Sequence, residues 1–214
     1  YSNDGNIKTF THGMFEAVYD YPYLSSSANH IFDVSVGYSS KSSLSGASHT
    51  QNAKKINIYN QHAQVLYGYD ATGSIQEFDQ DGNIVGGGAK MRECVFLNFS
   101  RLLTKDEIKK DTLRLELYSS GTNVFGSNNR KNMKTIGDYG AATDYKVNSP
   151  AGEYGLLYTS STNHHPFSPV GHVYYQAGIC VLTTSFFVGA FADPASIPMG
   201  ALRKSKDAIN YVLT

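Results

Sequence analysis

The segment GHVYYQAGICVLTTSFF, residues 171–187, is the most apolar part of the chain and has the pattern of a buried hairpin. A short QAG turn joins its two apolar halves, which predicts two antiparallel strands. The preceding segment TNHHPFSPV, residues 162–170, is typical of a loop at the edge of that hairpin. The residues that we expect to be buried are Val173, Tyr175, Ile179, Val181 and Leu182.

Further strands are predicted along the chain, and residues 14–38 as a whole have the pattern of β structure. In FDVSVGY, residues 32–38, every second residue is apolar or aromatic, so Phe32, Val34, Val36 and Tyr38 share one face of a strand. The other predicted strands are ECVFLNF (93–99), LRLELYS (113–119), with Leu113, Leu115 and Leu117 on one face, and EYGLLYTS (153–160).

Three segments have helical patterns. AKKINIYNQHAQVLYGYD, residues 53–70, carries an approximate apolar stripe, and Gly68 is a plausible stop. That stripe consists of Ile58, Gln61, Val65 and Leu66. TKDE, residues 104–107, fits a capping box and predicts a short helix through Lys110. The third segment is MGALRKSKDAINYVL (199–213), with Leu202, Ile209, Val212 and Leu213 roughly on one face.

The remaining segments are predicted to be loops. SSKSSLSGASHTQN, residues 39–52, is rich in serine and predicts a flexible surface loop, and residues 119–152 predict mostly loop. EFDQDGN, residues 77–83, carries the turn of a hairpin. We therefore expect one α+β domain over residues 1–214, with a predominantly antiparallel β-sheet and a few helices. The start YSNDGN and the end INYVLT predict a fragment or a processed product of a longer chain.

Composition excludes several classes of protein. The 214 residues are 41% hydrophobic, which is typical of a globular chain with a sizeable core. Lys+Arg and Asp+Glu are both 18, and the basic residues are scattered, so nucleic-acid binding is not expected. No apolar run approaches the ~18 uninterrupted residues of a membrane span. The first residues do not have the pattern of a secretory signal peptide.

The two cysteines, Cys94 and Cys180, each lie in an apolar strand-like run. This pattern predicts two buried thiols rather than a disulfide, since nothing else in the sequence indicates an oxidising compartment. Two cysteines this far apart, without histidines at ligand spacing, are also a poor zinc site.

An acidic cluster allows a calcium interpretation. If Gly82 is the sixth position of a calcium loop, Glu77, Asp79 and Asp81 occupy positions one, three and five. The twelfth position is then Gly88, where a bidentate glutamate is required. We therefore interpret this cluster as a hairpin turn and not as a metal site.

Histidines allow a second metal interpretation. His164, His165 and His172 could supply three ligands of a zinc hydrolase, with Glu153 as the nearest preceding acid. Adjacent residues rarely point to one centre, so a surface loop is the preferred interpretation. His172 then either faces out from its strand or is a satisfied, half-buried histidine. Nucleophile and phosphate-loop motifs are absent from the sequence. We expect no enzymatic activity, no cofactor and no bound metal.

Tyrosine is abundant in this chain, with 16 tyrosines and no tryptophan. Tyrosine combines a large apolar ring with a polar tip, which suits sheet faces and protein interfaces. Exposed aromatics also bind carbohydrate, usually with tryptophan among them. The sequence therefore favours core and interface roles for the tyrosines.

The chain resembles a group of uncharacterised virion structural proteins from marine T-even-like tailed phages, chiefly cyanophages. The segments that carry this resemblance are VYDYPYLSSSANHIFDVSVGYS (18–39), AKKINIYNQHAQVLYGYD (53–70), FDQDG (78–82), FLNFSRLLTKDEIKKDTLRLEL (96–117), TDYKVNSPAGEYGLLY (143–158) and VYYQAGICVLT (173–183). The loops SSKSSLSGASHTQN (39–52), SSGTNVFGSNNRKNMK (119–134) and SSTNHHPF (160–167) depart from the pattern.

The resemblance implies a tail or baseplate component that is located in the virion. It implies assembly with other phage structural proteins, in multiple copies of a symmetric particle, without nucleic-acid or membrane partners. It transfers no catalytic residue. The alternatives are a receptor- or glycan-binding module that uses tyrosine-rich loops, and a tail-associated metal-dependent hydrolase.

Overall fold

The computed structural model describes residues 5–46, 51–84, 88–104, 106–118, 133–159 and 169–186. Seven strands form one antiparallel sheet in the order β1-β2-β3-β4-β9-β8-β7, and β5 pairs with β6 in a second sheet. The strands are β1 Ile7–Thr9, β2 Phe15–Tyr19, β3 His30–Tyr38, β4 Glu93–Phe99, β5 Arg114–Tyr118, β6 Met133–Gly137, β7 Tyr154–Leu157, β8 Gly171–Tyr174 and β9 Ile179–Thr183. The helices are α1 Asn52–Leu66 and α2 Arg101–Thr104. This architecture confirms the predicted α+β class with a predominantly antiparallel sheet.

The predicted core hairpin is formed by β8 and β9, which pair antiparallel across a turn at residues 175–178. Val173, Tyr175, Val181 and Leu182 are buried as predicted, whereas Ile179 is only partly buried. Residues 160–168, which include most of the adjacent predicted loop, lie outside the described residues.

The large sheet packs on both faces. On one face, β5 and β6 contribute Leu117 and Ile136 to a cluster with apolar residues of β3, β4, β8 and β9. On the other face, α1 and residues 67–84 and 88–91 cover a cluster rich in aromatic residues. Because successive residues of a strand point to opposite faces, β4 serves both clusters, with Val95 and Leu97 on the first and Phe96 on the second.

Helix α1 confirms the predicted helix, but only half of the predicted apolar stripe. Ile58 and Leu66 are buried as predicted, whereas Gln61 and Val65 are exposed. The buried face of the helix consists of Lys55, Ile58, Tyr59, Ala63 and Leu66. Hydrophobic periodicity did not indicate the full face, because it does not count a lysine as buried. Gly68 ends the helix as predicted, with φ +80° and its N–H donated to the carbonyl of Ala63.

The contact between α1 and β3 depends on Gly37. A Cβ at this position would lie 2.7 Å from the backbone nitrogen of Tyr59 and 2.9 Å from the carbonyl oxygen of Lys55. Gly37→Ala is therefore expected to lower the free energy of unfolding by about 2 kcal/mol, because backbone cannot yield to the added methyl group as a side chain can. Urea unfolding followed by circular dichroism measures the change.

The matched control is Gly46→Ala, where an added Cβ meets no atom within 4 Å. We expect its free energy of unfolding to stay within about 0.5 kcal/mol of wild type. Equal effects of the two substitutions would contradict a close backbone contact at Gly37.

The predicted helix at residues 104–110 is wrong. Helix α2 ends at Thr104, where the predicted helix was to begin, and the described residues 106–113 contain no helix. Backbone N–H groups in this segment instead donate hydrogen bonds to acceptors that are distant in sequence. Ile108 donates to the carbonyl of Tyr175, and Asp111 and Leu113 donate to the carboxylate of Asp138. Tertiary hydrogen bonds therefore override the local helix signal.

Two loop predictions are also corrected. Residues 133–137 form β6, which pairs with β5, although a loop was expected. The serine-rich segment was expected to be flexible, but Ser39, Ser42 and Leu44 are buried and Ser43–Gly46 is a 3-10 helix. The hydroxyls bond to carboxylates of Glu77 and Glu93, a long-range pairing that composition cannot indicate. Residues 47–50, 119–132 and the predicted tail helix lie outside the described residues.

The predicted hairpin around the DG turn is present as a narrow loop. Asp79 bridges to Lys90, and Gln80 and Met91 donate backbone N–H groups to Ala89 and Phe78. Within the described residues, neither helix has the length and apolar composition needed to cross a bilayer.

Candidate functional site

His172, the one candidate zinc ligand within the described residues, lies in the core. Its side chain has no solvent exposure, and its ring lies parallel to that of Tyr67 and 5.3 Å from that of Tyr154. His164 and His165 fall in residues 160–168, outside the described part of the chain. The structure thus makes His172 a fully buried core histidine packed by aromatic rings, rather than the outward-facing or half-buried residue that the sequence allowed.

The surroundings of His172 keep its ring neutral. Burial among aromatic rings lowers the pKa of His172 to about 4, because there is no water to solvate the charged form. Its Nε2 lies 3.4 Å from the carbonyl oxygen of Gln80 and donates to it. The side chain therefore has a structural contact to the loop that crosses above it.

Tyrosines beside His172 attach the same loop to the core. Tyr154 Oη donates to the carbonyl oxygen of Gly82 at 2.9 Å, and Tyr67 Oη donates to that of Asp79 at 3.4 Å. Burial raises the pKa of Tyr154 to about 12, so its hydroxyl stays protonated. Asn148 adds a side-chain donor to the Gly82 carbonyl at 3.0 Å. The cluster holds the 79–82 turn in place.

The acidic residues of the calcium interpretation do not converge. Asp79 is buried and paired with Lys90, and Glu77 accepts from Ser39 and lies 3.4 Å from the Arg92 guanidinium. Asp81 instead accepts from the backbone and side chain of Asn83. Across the part of the chain that the structure describes, no three His, Cys, Asp or Glu residues form a group that could hold a metal ion.

Glu153 and the two cysteines also lie in environments that stabilise the fold rather than in a reactive site. Glu153 pairs with Lys110, whose ammonium lies 4.1 Å from the ring centroid of Tyr145. Cys94 and Cys180 are buried free thiols, as predicted. Burial raises the pKa of both thiols, so neither is a reactive thiolate at neutral pH.

A polar cleft of about 340 Å³, which the sequence did not indicate, opens beside the 70–77 segment. It is lined by Lys41, Asp70, Ser74, Gln76, Glu77 and Lys90, with Ile75 and Ile84 as apolar walls. Both acidic residues of the cleft already have partners. Asp70 accepts hydrogen bonds from Thr72 and Ser74. Glu77 pairs with Lys41, in addition to its contacts with Ser39 and Arg92. These bonds to the Thr72 hydroxyl and the Ser74 backbone lower the pKa of Asp70. The cleft therefore offers a polar, charge-balanced surface.

Residues 20–29, where β structure was predicted, instead form the loop between β2 and β3, which presents apolar side chains to solvent. Leu24 is 87% exposed and Tyr21 is 60% exposed. The base of the loop is closed by Asp20, whose carboxylate accepts from the backbone N–H of Asn29 at 2.7 Å and from its amide at 2.9 Å. A turn from Pro22 to Ser25 braces the tip. We call this loop, residues 20–29, the apolar tip.

A second apolar surface lies between α1 and β9. A groove of about 200 Å³ is lined by Gln61, His62, Val65, Leu66 and Ile179. His62 forms one wall, stacked 4.0 Å from the ring of Phe96 and bonded to Asn98. Burial lowers the pKa of His62, so this wall is neutral. We call this surface the α1–β9 groove.

Tyrosines occupy both core and surface. Tyr59, Tyr154, Tyr174 and Tyr175 are among the largest fully buried side chains, which confirms the predicted core role. Exposed tyrosines such as Tyr21 leave the interface role as a prediction. The DYPYL stretch that lies in the apolar tip was predicted to be β structure, so the sequence missed the tip, and the groove had no local signal.

Comparisons of the chain with protein-family models, with curated proteins and with solved structures found no match. Evidence on function therefore comes from the sequence and from the surfaces described above. These surfaces are an apolar tip, an apolar groove and a charge-balanced cleft, around a core that encloses His172, Asp79 and the two thiols.

Proposed function

We propose that this chain is a virion structural protein of a contractile-tailed phage, a tail or baseplate component that acts by protein–protein assembly. Its partners are other phage structural proteins in a symmetric particle that contains several copies. The observation that carries the proposal is the exposed apolar tip, where Leu24 and Tyr21 project from a closed loop. Large apolar side chains held in water are typical of a surface that is covered in an assembly.

The placement of reactive residue types supports a non-catalytic role. His172, Asp79, Asp138, Cys94 and Cys180 are all buried, and burial keeps the histidine and thiols uncharged at neutral pH. The two aspartates are paired with Lys90 and Arg114. A catalytic group must reach its substrate, so these side chains are better suited to stabilising the subunit.

The surface composition also supports assembly. Interfaces are enriched in tyrosine and depleted of charge at their centre, and the groove lining is uncharged at neutral pH. A standard contact buries roughly 800 Å² on each partner, which requires surfaces rather than a small pocket.

The sequence resemblance follows the framework of the fold. Segment 18–39 covers part of β2, the apolar tip and β3, and segment 53–70 covers nearly all of α1. Segment 173–183 covers the turn and β9 of the core hairpin. The unmatched segments 39–52 and 119–134 fall mostly between these elements. A sequence resemblance that covers these elements, with connections that depart from the pattern, supports the proposal of a common role with different neighbours.

Mass spectrometry of intact particles, fractionated into heads, tails and baseplates, tests the proposal. We expect this polypeptide in the tail or baseplate fraction at a fixed integral ratio to known components. Its absence from every fraction would remove the virion role. Metal analysis of the purified protein would then test the hydrolase alternative.

A receptor- or glycan-binding role is the second candidate. The polar cleft favours it, because hydroxyl, amide and carboxylate groups line the cleft. The exposed residue Tyr69 pairs across a backbone bridge with the cleft residue Ile75. A glycan array with the purified chain tests it. A signal that Gln76→Ala removes would support binding in the cleft, and no signal would count against it.

A further inference from the structure

The apolar tip and the α1–β9 groove lie at the same end of the large sheet. The tip precedes His30, the first residue of β3. Helix α1 runs back along β3, since Asn52 at its start accepts from Tyr38 at the far end of that strand. The last turn of α1 therefore lies near the beginning of β3. Ile179, in the groove, pairs with Asn98, which in turn pairs with Asp33 of β3.

The tip does not fill the groove of its own chain. The sheet order places β4 between β3, where the tip ends, and β9, which forms the groove wall. Two strand spacings amount to about 10 Å across the sheet. The tip is also held to the start of β3 by the bonds between Asp20 and Asn29. Leu24 accordingly stays 87% exposed and does not line the groove, so tip and groove are two separate surfaces of one chain.

The two surfaces suit one another in size and polarity. The groove, at about 200 Å³, has room for one large aliphatic side chain, and its lining is uncharged at neutral pH. Leu24 is the most exposed of the large apolar side chains among the described residues. Val65, at the rim of the groove, is 61% exposed. Mutual burial would remove both from water, which is the main favourable contribution to association.

We propose that a second copy of this chain occupies the groove, with Leu24 of each copy entering the α1–β9 groove of the other about a twofold axis. A twofold axis makes every contact occur twice, so two modest patches at one end of the sheet become a single reciprocal interface. The dimer extends the proposed assembly role, and its place in the particle rests on that role. The test of the dimer needs only the purified chain.

Sedimentation velocity of the full chain gives the first test. We expect a monomer–dimer equilibrium for the wild type, and a dissociation constant raised about 100-fold by Leu24→Asp or Val65→Asp, because each would bury an unpaired charge at the contact. Val147→Asp is the matched control, since Val147 is 71% exposed and belongs to neither surface. Circular dichroism checks that each variant is folded.

A wild type that stays monomeric at the highest soluble concentration would overturn the proposal. A dimer that Val147→Asp disrupts as strongly as Val65→Asp does would also overturn it. Neither result would bear on recovery of the chain from tails or baseplates, so failure of the dimer and failure of the virion role can be told apart.

Cysteine cross-linking gives the second test and identifies the contacting residues. The native thiols are buried, so single variants Leu24→Cys and Val65→Cys each add one accessible thiol. Mild oxidation of the mixed variants is expected to give a covalent dimer, while each variant alone stays monomeric. The double variant, with Leu24→Cys and Val65→Cys in one chain, is expected to form only a dimer, which two disulfides join.

Other cross-linking outcomes would contradict the proposal. Cross-linking of Leu24→Cys to itself as efficiently as to Val65→Cys would place the tips together instead of in the grooves. A ladder of oligomers from the double variant would indicate open head-to-tail assembly and would overturn the twofold arrangement. No cross-link in any mixture would overturn the contact itself.

Discussion

Replacing Asp138 by alanine is expected to lower the free energy of unfolding by about 4 kcal/mol, since breaking a buried charged network typically costs ~3–5 kcal/mol. The Asp138 carboxylate has no solvent exposure. It accepts from the backbone N–H of Asp111 at 2.7 Å and of Leu113 at 3.0 Å, from the Arg114 guanidinium at 3.0 Å and from Tyr175 Oη at 3.1 Å. Without it, these donors are left with no acceptor at this position.

The expected loss is large because Asp138 joins two parts of the fold. It follows β6 of the small sheet, while Tyr175 lies in the turn between β8 and β9 of the large sheet. Asp111, its nearest partner, has a left-handed backbone with φ +62°, a conformation that aspartate tolerates better than most residues. The network thus fixes the irregular 106–113 segment against the first face of the large sheet.

Chemical unfolding of Asp138→Ala, Asp138→Asn and a matched surface variant measures the effect. Asp144→Ala is the control, because Asp144 is 40% exposed and 4.0 Å from its ion-pair partner Lys146. We expect a change below about 1 kcal/mol for Asp144→Ala. Asp138→Asn should fall between the two, since an amide keeps one acceptor oxygen. An Asp138→Ala variant as stable as the control would contradict the network.

Acid is expected to destabilise the protein through His172. Burial lowers the pKa of His172 to about 4, from 6.5 in the unfolded chain. Between these values the unfolded chain binds a proton that the folded protein excludes, so stability falls as pH falls. The contribution is fully present above pH 6.5 and is lost as pH drops to about 4. One pKa unit is worth about 1.4 kcal/mol, so this loss is about 3 kcal/mol.

Unfolding free energies at a series of pH values, in wild type and in His172→Phe, isolate this contribution. We expect the wild type to lose about 3 kcal/mol more than the variant over this range. Part of the acid sensitivity remains in the variant, because burial also lowers the pKa of His62. Hydrogen bonds from Asn29 and Thr72 lower the pKa of Asp20 and Asp70, which adds acid sensitivity common to both proteins. Parallel pH curves would contradict a neutral, buried His172.

Patterns that repeat over short distances were sufficient to predict much of the framework. The alternation in FDVSVGY predicts β3, and the paired apolar runs of the core hairpin predict β8 and β9. Helix α1 and its stop at Gly68 followed in the same way. These elements are predictable because one buried face imposes a period of about 2 or 3.6 residues on the sequence.

The errors arose where distant groups decided the local structure. The capping box at 104–107 did not start a helix, because the N–H groups beyond it bond to Tyr175 and Asp138. The serine-rich segment packs because Ser39 and Ser42 find carboxylates 38 and 51 residues away. Propensity and periodicity contain no information about partners at such separations.

The features of the fold and of the candidate site fall into the same two groups, those that the sequence predicts and those that only the tertiary structure decides. The sequence alone determined an antiparallel sheet with a few helices and two buried thiols, because composition and short periods report burial directly. Only the tertiary structure decided that His172 is a core residue, that Glu77, Asp79 and Asp81 diverge, and that tip and groove share one end of the sheet. Strand order and register set these distances, and both depend on pairing between segments far apart in the chain.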